Sequence, residues 1–545
     1  MKTRYLPALL LAAILAFQSP PASASLETIK LPMKDGVKLA TDVHLPTGDG
    51  PFPVIFLRTT YNRTMGAMLA PEALKRGFAF VIQDTRGRFA SEGENLAFDA
   101  DAWGEHQDGL ETIDWIVKQP WCSGKIGTFG GSALSITTLL LAGTGTPHLT
   151  CQHFTVGAPN LYSVVYTGGV FRKALAEDWL KQSKFSEDAL KLWTRHPLYD
   201  DYWKHRDLTG RYSKINAPAV HVGGWYDIFS QGTIDAFMGY QYHGGPGARG
   251  KQKLVMGPWT HGVMQEKAGE LKFPKGNKPP TKVTDSWAWF EYWLKGTTNG
   301  ITDGPAVTYY VMGDVSDPQS PGNVWRTAGE WPPPKAREVP FYFQEGRGLS
   351  KTKPKAGTPI TYSYDPKNPV PTLGGPQLTI PAGPMDQRNI EARPDLITFT
   401  SESLAEPLEV TGKVRVKLWA ASDARDTDFF AKLCDVYPDG RSYNICEGVI
   451  RARLREGPDR EKLLKPGTIY PFEIDLWSTS IIFNQGHKLR LHITSSSDRG
   501  YDPNPNTGEP FRSSDKTVVS KNTLYLDARH PSHVLLPVMP GNGSP

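Results

Sequence analysis

Between residues 37 and 296, short apolar runs that stop at polar loops alternate with segments of helical period, and this alternation leaves few folds open. Residues 37–45, PFPVIFLRTTY (51–61), GFAFVIQDTRG (77–87), APAVHVGGWYD (217–227) and KQKLVMGPWTHG (251–262) read as strands. DGLETIDWIVKQP (108–120) carries Leu110, Ile113, Ile116 and Val117 near helical spacing, and DSWAWFEYWLKG (285–296) reads as a closing helix. Strands joined through helices run parallel. A mainly parallel sheet with helices on its faces is therefore expected, with its chemistry at the carboxyl ends of the strands.

Two breaks divide the chain. From 161 to about 215 the strand signal disappears, and SVVYTGGVFRKALAEDWLKQSKFSEDALKLWTRH reads as an inserted helical cap. From roughly Gly304, proline-rich stretches (WPPPK, PKNPVP, PAGP) separate alternating runs such as LEVTGKVRVKLWAAS and HKLRLHITSSS, the pattern of a β-sandwich or jelly roll. At 545 residues the chain is too long for one core. The expected organisation is an N-terminal leader (1–24), an α/β domain (25–303) with a helical cap at about 161–215, and an all-β C-terminal domain (304–545).

The leader has Lys2 and Arg4, an apolar run from Leu6 to Phe17, and Ala22-Ser23-Ala24, which together make a signal peptide cut after Ala24. A secreted or periplasmic protein is expected, and no other run is long and apolar enough to cross a bilayer. Export makes Cys122, Cys151, Cys434 and Cys446 candidates for disulfides. Proximity favours 122–151 and 434–446, with free buried thiols as the alternative. Net charge is only +5, without long basic runs, so no nucleic-acid partner is expected. No metal-ligand motif appears, and neither a metal nor another cofactor is expected. GGPGARG (244–250) formally fits a dinucleotide-binding pattern, but it precedes a strand instead of following one and reads as a loop.

The chemistry centres on GKIGTFGGSALSITTLLLAG (124–143), a short strand, a glycine-rich turn and a helix with Ser132 at the corner. That is the shape of a nucleophile elbow, although a lone serine there could equally cap the helix. A serine hydroxyl attacks well only beside a base, and the base needs a third group to orient it. In the α/β-hydrolase order, the acid and then the histidine follow the serine. Asp227 closes PAVHVGGWYD and His261 closes KLVMGPWTH, so each is expected at the carboxyl edge of the sheet beside Ser132. Trp225, Tyr226 and Trp259 border these positions and are candidates either for an aromatic acyl pocket or for packing beneath the site.

DTRGRFASEG, HPLYDDYW, HVGGWYDIFSQGTIDAF, KLVMGPWTHG and DTDFFAKLCDVYPDGRSYNICEGVIRAR closely resemble the CocE/NonD serine hydrolases. That group includes cocaine esterases, α-amino acid ester hydrolases, glutaryl-cephalosporin acylases and S15-like X-Pro dipeptidyl-peptidases. The resemblance covers nearly the whole mature chain. It implies an α/β-hydrolase domain with an inserted helical cap and a C-terminal jelly roll, with Ser132 as nucleophile, Asp227 as acid and His261 as base. It also implies an oxyanion hole formed by the Ala133 N–H and by the Tyr61 hydroxyl in FLRTTYNR. The elbow departs from the group's usual G-x-S-Y-x-G, with Ala133 in place of tyrosine and Ser135 in place of the last glycine. This trims the wall beside Ser132.

The expected activity is hydrolysis of a small ester or acyl substrate, with amide cleavage by an X-Pro dipeptidyl-peptidase or acylase as the alternative. Ile228, Phe229 and Ser230 after Asp227 are neutral, unlike the carboxylate cluster with which α-amino acid ester hydrolases bind an ammonium. Glu177, Asp178, Glu187 and Asp188 in the cap could anchor a peptide amine or be ordinary helix-surface acids. A second alternative is an inactive homologue that binds carbohydrate. The ordered Ser132, Asp227 and His261 argue against it.

Overall fold

The computed structural model describes residues 25–540, so the signal peptide expected at 1–24 lies outside the described residues. One sheet holds β1 (Ser25–Pro32), β2 (Lys38–Leu45), β3 (Phe52–Thr59), β4 (Ala79–Asp84) and β5 (Cys122–Gly131). It continues through β6 (Leu149–Thr155), β7 (Ala219–Gly224), β8 (Lys253–Gly257), β9 (Val307–Val311) and β10 (Val324–Ala328). Their spatial order is β1-β2-β4-β3-β5-β6-β7-β8-β9-β10. The run from β4 to β9 is parallel, and the outer pairs β1–β2, β2–β4 and β9–β10 are antiparallel. Every residue of β4, β7 and β8 is buried, as strands covered on both faces require.

Two strands, β9 and β10, bear on the boundary expected at 303–304. Both lie beyond it, yet they extend the first sheet. VTYYV is buried at all its positions and pairs in parallel with β8, so the hydrolase core claims it despite its all-β neighbourhood in sequence.

Four of the helices matter for the site: α1 (Asp108–Ile116), α2 (Ala133–Ala142), α3 (Glu187–Arg195) and α4 (Ser230–His243). α2 is buried at nearly every position, which explains its run of small and aliphatic residues. Between β6 and β7 the chain forms the expected cap. It contains Leu161–Val165, a π-helical turn at Ala174–Asp178, Trp179–Gln182 and α3, together with a two-residue hairpin (Tyr166–Thr167 with Val170–Phe171) that the sequence pattern does not announce. Among the described residues no helix is long and apolar enough to cross a membrane.

The C-terminal part forms a second sheet of eleven strands. It is antiparallel except where Gly348–Ser350 meets Leu396–Ser401. Its longest strands, Leu408–Ser422 and Tyr470–Phe483, pair with a register shift between Lys413 and Arg415. One hydrophobic core joins the two bodies, running from Trp225, Leu254 and Tyr310 to Phe399, Leu491 and Leu536.

Neither expected disulfide forms, and all four cysteines are free. Cys122 lies opposite Phe52 on β3, whereas Cys151 lies opposite Gly127, roughly 16 Å further along β5. Cys434 pairs with Asn444 and Cys446 with Leu433, an offset that turns the two thiols to opposite faces of the sheet.

Candidate active site

β5 ends in Gly130-Gly131, and the chain turns at Ser132 into α2. Ser132 adopts φ 59° and ψ −125°, a conformation that costs an L-residue about 1–3 kcal/mol. Gly130 permits the turn, because a Cβ there would lie 2.5 Å from the carbonyl carbon and oxygen of Leu134. The Ser132 side chain does not cap α2. Its hydroxyl donates to His261 Nε2 at 2.7 Å, and His261 Nδ1–H donates to Asp227 Oδ1 at 2.6 Å. The three residues follow β5, β7 and β8, so the carboxyl edge of the sheet, with β6 between β5 and β7, brings together positions far apart in the chain.

Asp227 is fully buried, whereas the His261 side chain is 13% exposed. Asp227 Oδ2 has no hydrogen-bond partner among the described residues. The aim of the carboxylate therefore rests on its loop, where Asp227 N–H donates to Gly224 O and Ser230 N–H to Asp227 O. The Phe229 ring stands edge-on to His261, with centroids 5.5 Å apart.

Tyr61 lies just past β3. Its hydroxyl oxygen accepts from Trp179 Nε1–H at 2.9 Å, which leaves its own proton free to be donated. Burial raises the Tyr61 phenol above its ordinary value, against the opposing pull of Trp179, Ser132 and Arg88, so it stays a protonated donor at neutral pH. The Ala133 N–H is the first of α2 and has no intrahelical acceptor. Arg88 fastens this corner to the cap: Nε donates to Thr60 O at 3.0 Å, Nη1 to Lys184 O at 2.8 Å, and Nη2 to Ser183 O.

A cavity of about 370 Å³, counting its open mouth, adjoins Ser132. Phe98, Ala133 and Ile136 line it from the α/β body, Leu175, Trp179 and Trp193 from the cap, and Leu378 from the C-terminal part; among the described residues no charged side chain lines it. Trp225, Tyr226 and Trp259 do not line this cavity, which corrects the acyl-pocket reading. Each is buried, and each polar tip donates to a backbone carbonyl: Trp225 to Tyr310 O, Tyr226 to Asn444 O and Trp259 to Gly276 O. Trp225 and Tyr226 pack in the core shared with the C-terminal part, and Trp259 packs within the α/β body against Trp325. The lining residues Phe98, Trp179 and Leu378 carry no local signal in sequence, because three separate segments converge on the cavity.

The cap acids are engaged elsewhere. Glu177 pairs with Arg512 at 2.6 Å and Asp178 with Arg499 at 3.0 Å, while Asp188 faces solvent with Lys191. Glu187 lies in the first turn of α3, and none of the four lines the cavity. Ser135 is wholly buried, and its hydroxyl occupies space left by Gly157, where a Cβ would come within 2.3 Å of Ser135 Oγ. The serine in the elbow is thus matched by a glycine after β6.

Comparison with known proteins agrees with this architecture. The family model for X-Pro dipeptidyl-peptidase (S15 family) matches residues 35–189 and 173–263, and that for the X-Pro dipeptidyl-peptidase C-terminal non-catalytic domain matches 299–535. Cocaine esterase of Rhodococcus sp. (strain MB1 Bresler) is 31% identical over 580 residues, covering 94% of this chain and 98% of that protein. An aminopeptidase from a marine sediment Thaumarchaeota archaeon superposes with a TM-score of 0.81 at 23% identity, covering 97% of this chain and 99% of that one. An α-amino acid ester hydrolase superposes at 0.75 and 24%, covering 98% and 100%. These two structures share the fold. By its sequence match to an esterase over almost its whole length, the chain belongs to the CocE/NonD serine hydrolases built from the S15 catalytic domain and its C-terminal β-domain.

Proposed function

We propose that the protein is an esterase that hydrolyses carboxylic esters of uncharged, apolar acyl groups through an acyl-enzyme on Ser132. The observation that carries this reading is the unbroken hydrogen-bonded line Ser132–His261–Asp227 beside a cavity without charged walls. As Ser132 Oγ bonds to the ester carbon, His261 Nε2 takes the hydroxyl proton. Tyr61 O–H and Ala133 N–H donate to the oxygen that gains negative charge. The bond to the leaving oxygen then breaks, and that oxygen receives the proton from His261. Water repeats the sequence: it gives a proton to His261, attacks the acyl carbon, and Ser132 leaves with the proton. Asp227 holds the imidazole tautomer and balances its transient charge.

The apolar walls favour this substrate class over α-amino acid esters and X-Pro peptides. A substrate ammonium would find no anion there, since Glu177 and Asp178 are paired with Arg512 and Arg499. A panel of aryl esters, α-amino acid esters and X-Pro anilides tests the assignment. Uncharged aryl or alkyl esters should exceed the others in kcat/KM by about a hundredfold or more; a preference for X-Pro anilides would contradict it. Residues 1–24 support export, so protein recovered from the periplasm or medium should begin at Ser25 on N-terminal sequencing. A start at Met1 would count against this.

A further inference from the structure

Arg172 lies between the cap's hairpin and its π-helical turn and is 1% exposed, yet it makes no ion pair among the described residues. A buried cation without a counter-ion is costly, so its other contacts carry weight. Nη1 donates to Ile228 O at 3.1 Å and Nη2 to Pro376 O at 2.7 Å. The guanidinium carbon lies 5.7 Å from the Trp477 ring and 5.9 Å from the Tyr501 ring. One cap side chain thus reaches both the loop after β7 and the C-terminal part.

We propose that Arg172 is a positioning residue for Asp227, which through its bond to Ile228 holds the loop that aims the carboxylate at His261. The proposal rests on the reading of Ser132, His261 and Asp227 as the catalytic triad. Asp227 Oδ2 has no partner of its own, so the aim of the carboxylate depends on the backbone around it. In consecutive positions the loop carries the acid at 227, the acceptor for Arg172 at 228, and at 229 the ring that packs on His261 and lines the cavity. The second acceptor, Pro376, lies shortly before Leu378, another cavity wall.

The C-terminal part adds a second hold just past that loop, on the first turn of α4. Ser478 N–H and Oγ–H both donate to Gln231 Oε1, at 3.0 and 2.9 Å. The preceding residue, Trp477, which faces Arg172, is held at φ 65°, a conformation that bulky side chains seldom adopt. The domain described as non-catalytic in the matched family therefore helps to set the geometry of the triad.

Arg172→Met removes the charge and both donors at similar volume. On an aryl ester it should lower kcat about 10- to 100-fold while KM changes less than about threefold. In an Asp227→Asn background the same substitution should cost less than about threefold, since it acts through the group already disabled. Losses that multiply across the two backgrounds would overturn the proposal, as would wild-type kcat in Arg172→Met. If Arg172→Met does not fold, Arg172→Lys decides by the same pair of backgrounds. It keeps the charge but replaces the two-carbonyl fork with a single ammonium, so a loss of about 3- to 20-fold is expected that disappears with Asp227→Asn. No loss in the wild-type background, or equal losses in both, would overturn the proposal. Ser132→Ala keeps the two claims apart. Retained activity there rejects the triad itself, whereas an inactive Ser132→Ala beside a fully active Arg172→Met rejects only the role of Arg172.

Discussion

On the proposed mechanism, the Tyr61 hydroxyl and the Ala133 N–H divide the work at the oxyanion corner, and the cap holds Tyr61 in place through Trp179. Tyr61→Phe removes one of two donors to the developing charge and should lower kcat by about 10²–10³ with little change in KM. Trp179→Phe keeps a ring against Phe98 but loses the N–H that fixes the Tyr61 oxygen. It should cost about tenfold in kcat, and the double variant should be no slower than Tyr61→Phe alone. Steady-state kinetics on one aryl ester reads all three. Ser132, Asp227 and His261 are legible in sequence because each lies shortly past the end of a strand of a parallel sheet, a position that local pattern reveals. Trp225, Tyr226 and Trp259 are misleading for the same reason. Adjacency to a strand end does not decide which way a side chain points, and these three turn down into the core.

The elbow is an element in which close packing sets the residue choice. Gly130 faces the backbone of Leu134 and Gly157 faces Ser135. Gly157→Ala should destabilise the fold by about 1–3 kcal/mol through this overlap, and Ser135→Gly should recover most of the loss. Thermal unfolding of both variants and the pair checks it. The substitution of serine for glycine in the elbow is visible in sequence, but the compensating Gly157 lies on another loop and shows only in three dimensions. Likewise, the sequence pattern announces β3, β4, β5, β7 and β8 but not β6, and VTYYV suits either sheet, so that only its pairing with β8 assigns it. The disulfide expectation fails on register, which sequence proximity does not encode.

At the scale of the molecule, the two bodies share a core and an ionic tie. Buried His487 lies between Asp435, 2.8 Å from Nδ1, and Asp314, 3.3 Å from Nε2, with the Tyr437 ring against it. Asp314 follows β9, while Asp435 and His487 belong to the C-terminal part. Burial opposes the charge on His487, but the two carboxylates outweigh it and raise its value above the ordinary 6.5. The native state then holds this proton more tightly than the unfolded chain does. The stabilisation is complete below pH 6.5 and is lost as pH rises through the raised native value. The unfolding midpoint of the wild type should fall across that window, and His487→Gln should show a flatter profile. Cutting after 303 would strip β9 and β10 from the first sheet and Leu378 from the cavity. The isolated α/β part should therefore be recovered inactive.

On the proposed mechanism, Ser132 carries the acyl group. Treating the protein with a fluorophosphonate and mapping the adduct by peptide mass spectrometry tests it most directly, with Ser132→Ala as control. One phosphonyl group on the peptide containing Ser132, absent from Ser132→Ala, which should also lose ester hydrolysis, is the predicted result. An adduct on another residue, or full esterase activity in Ser132→Ala, would contradict it.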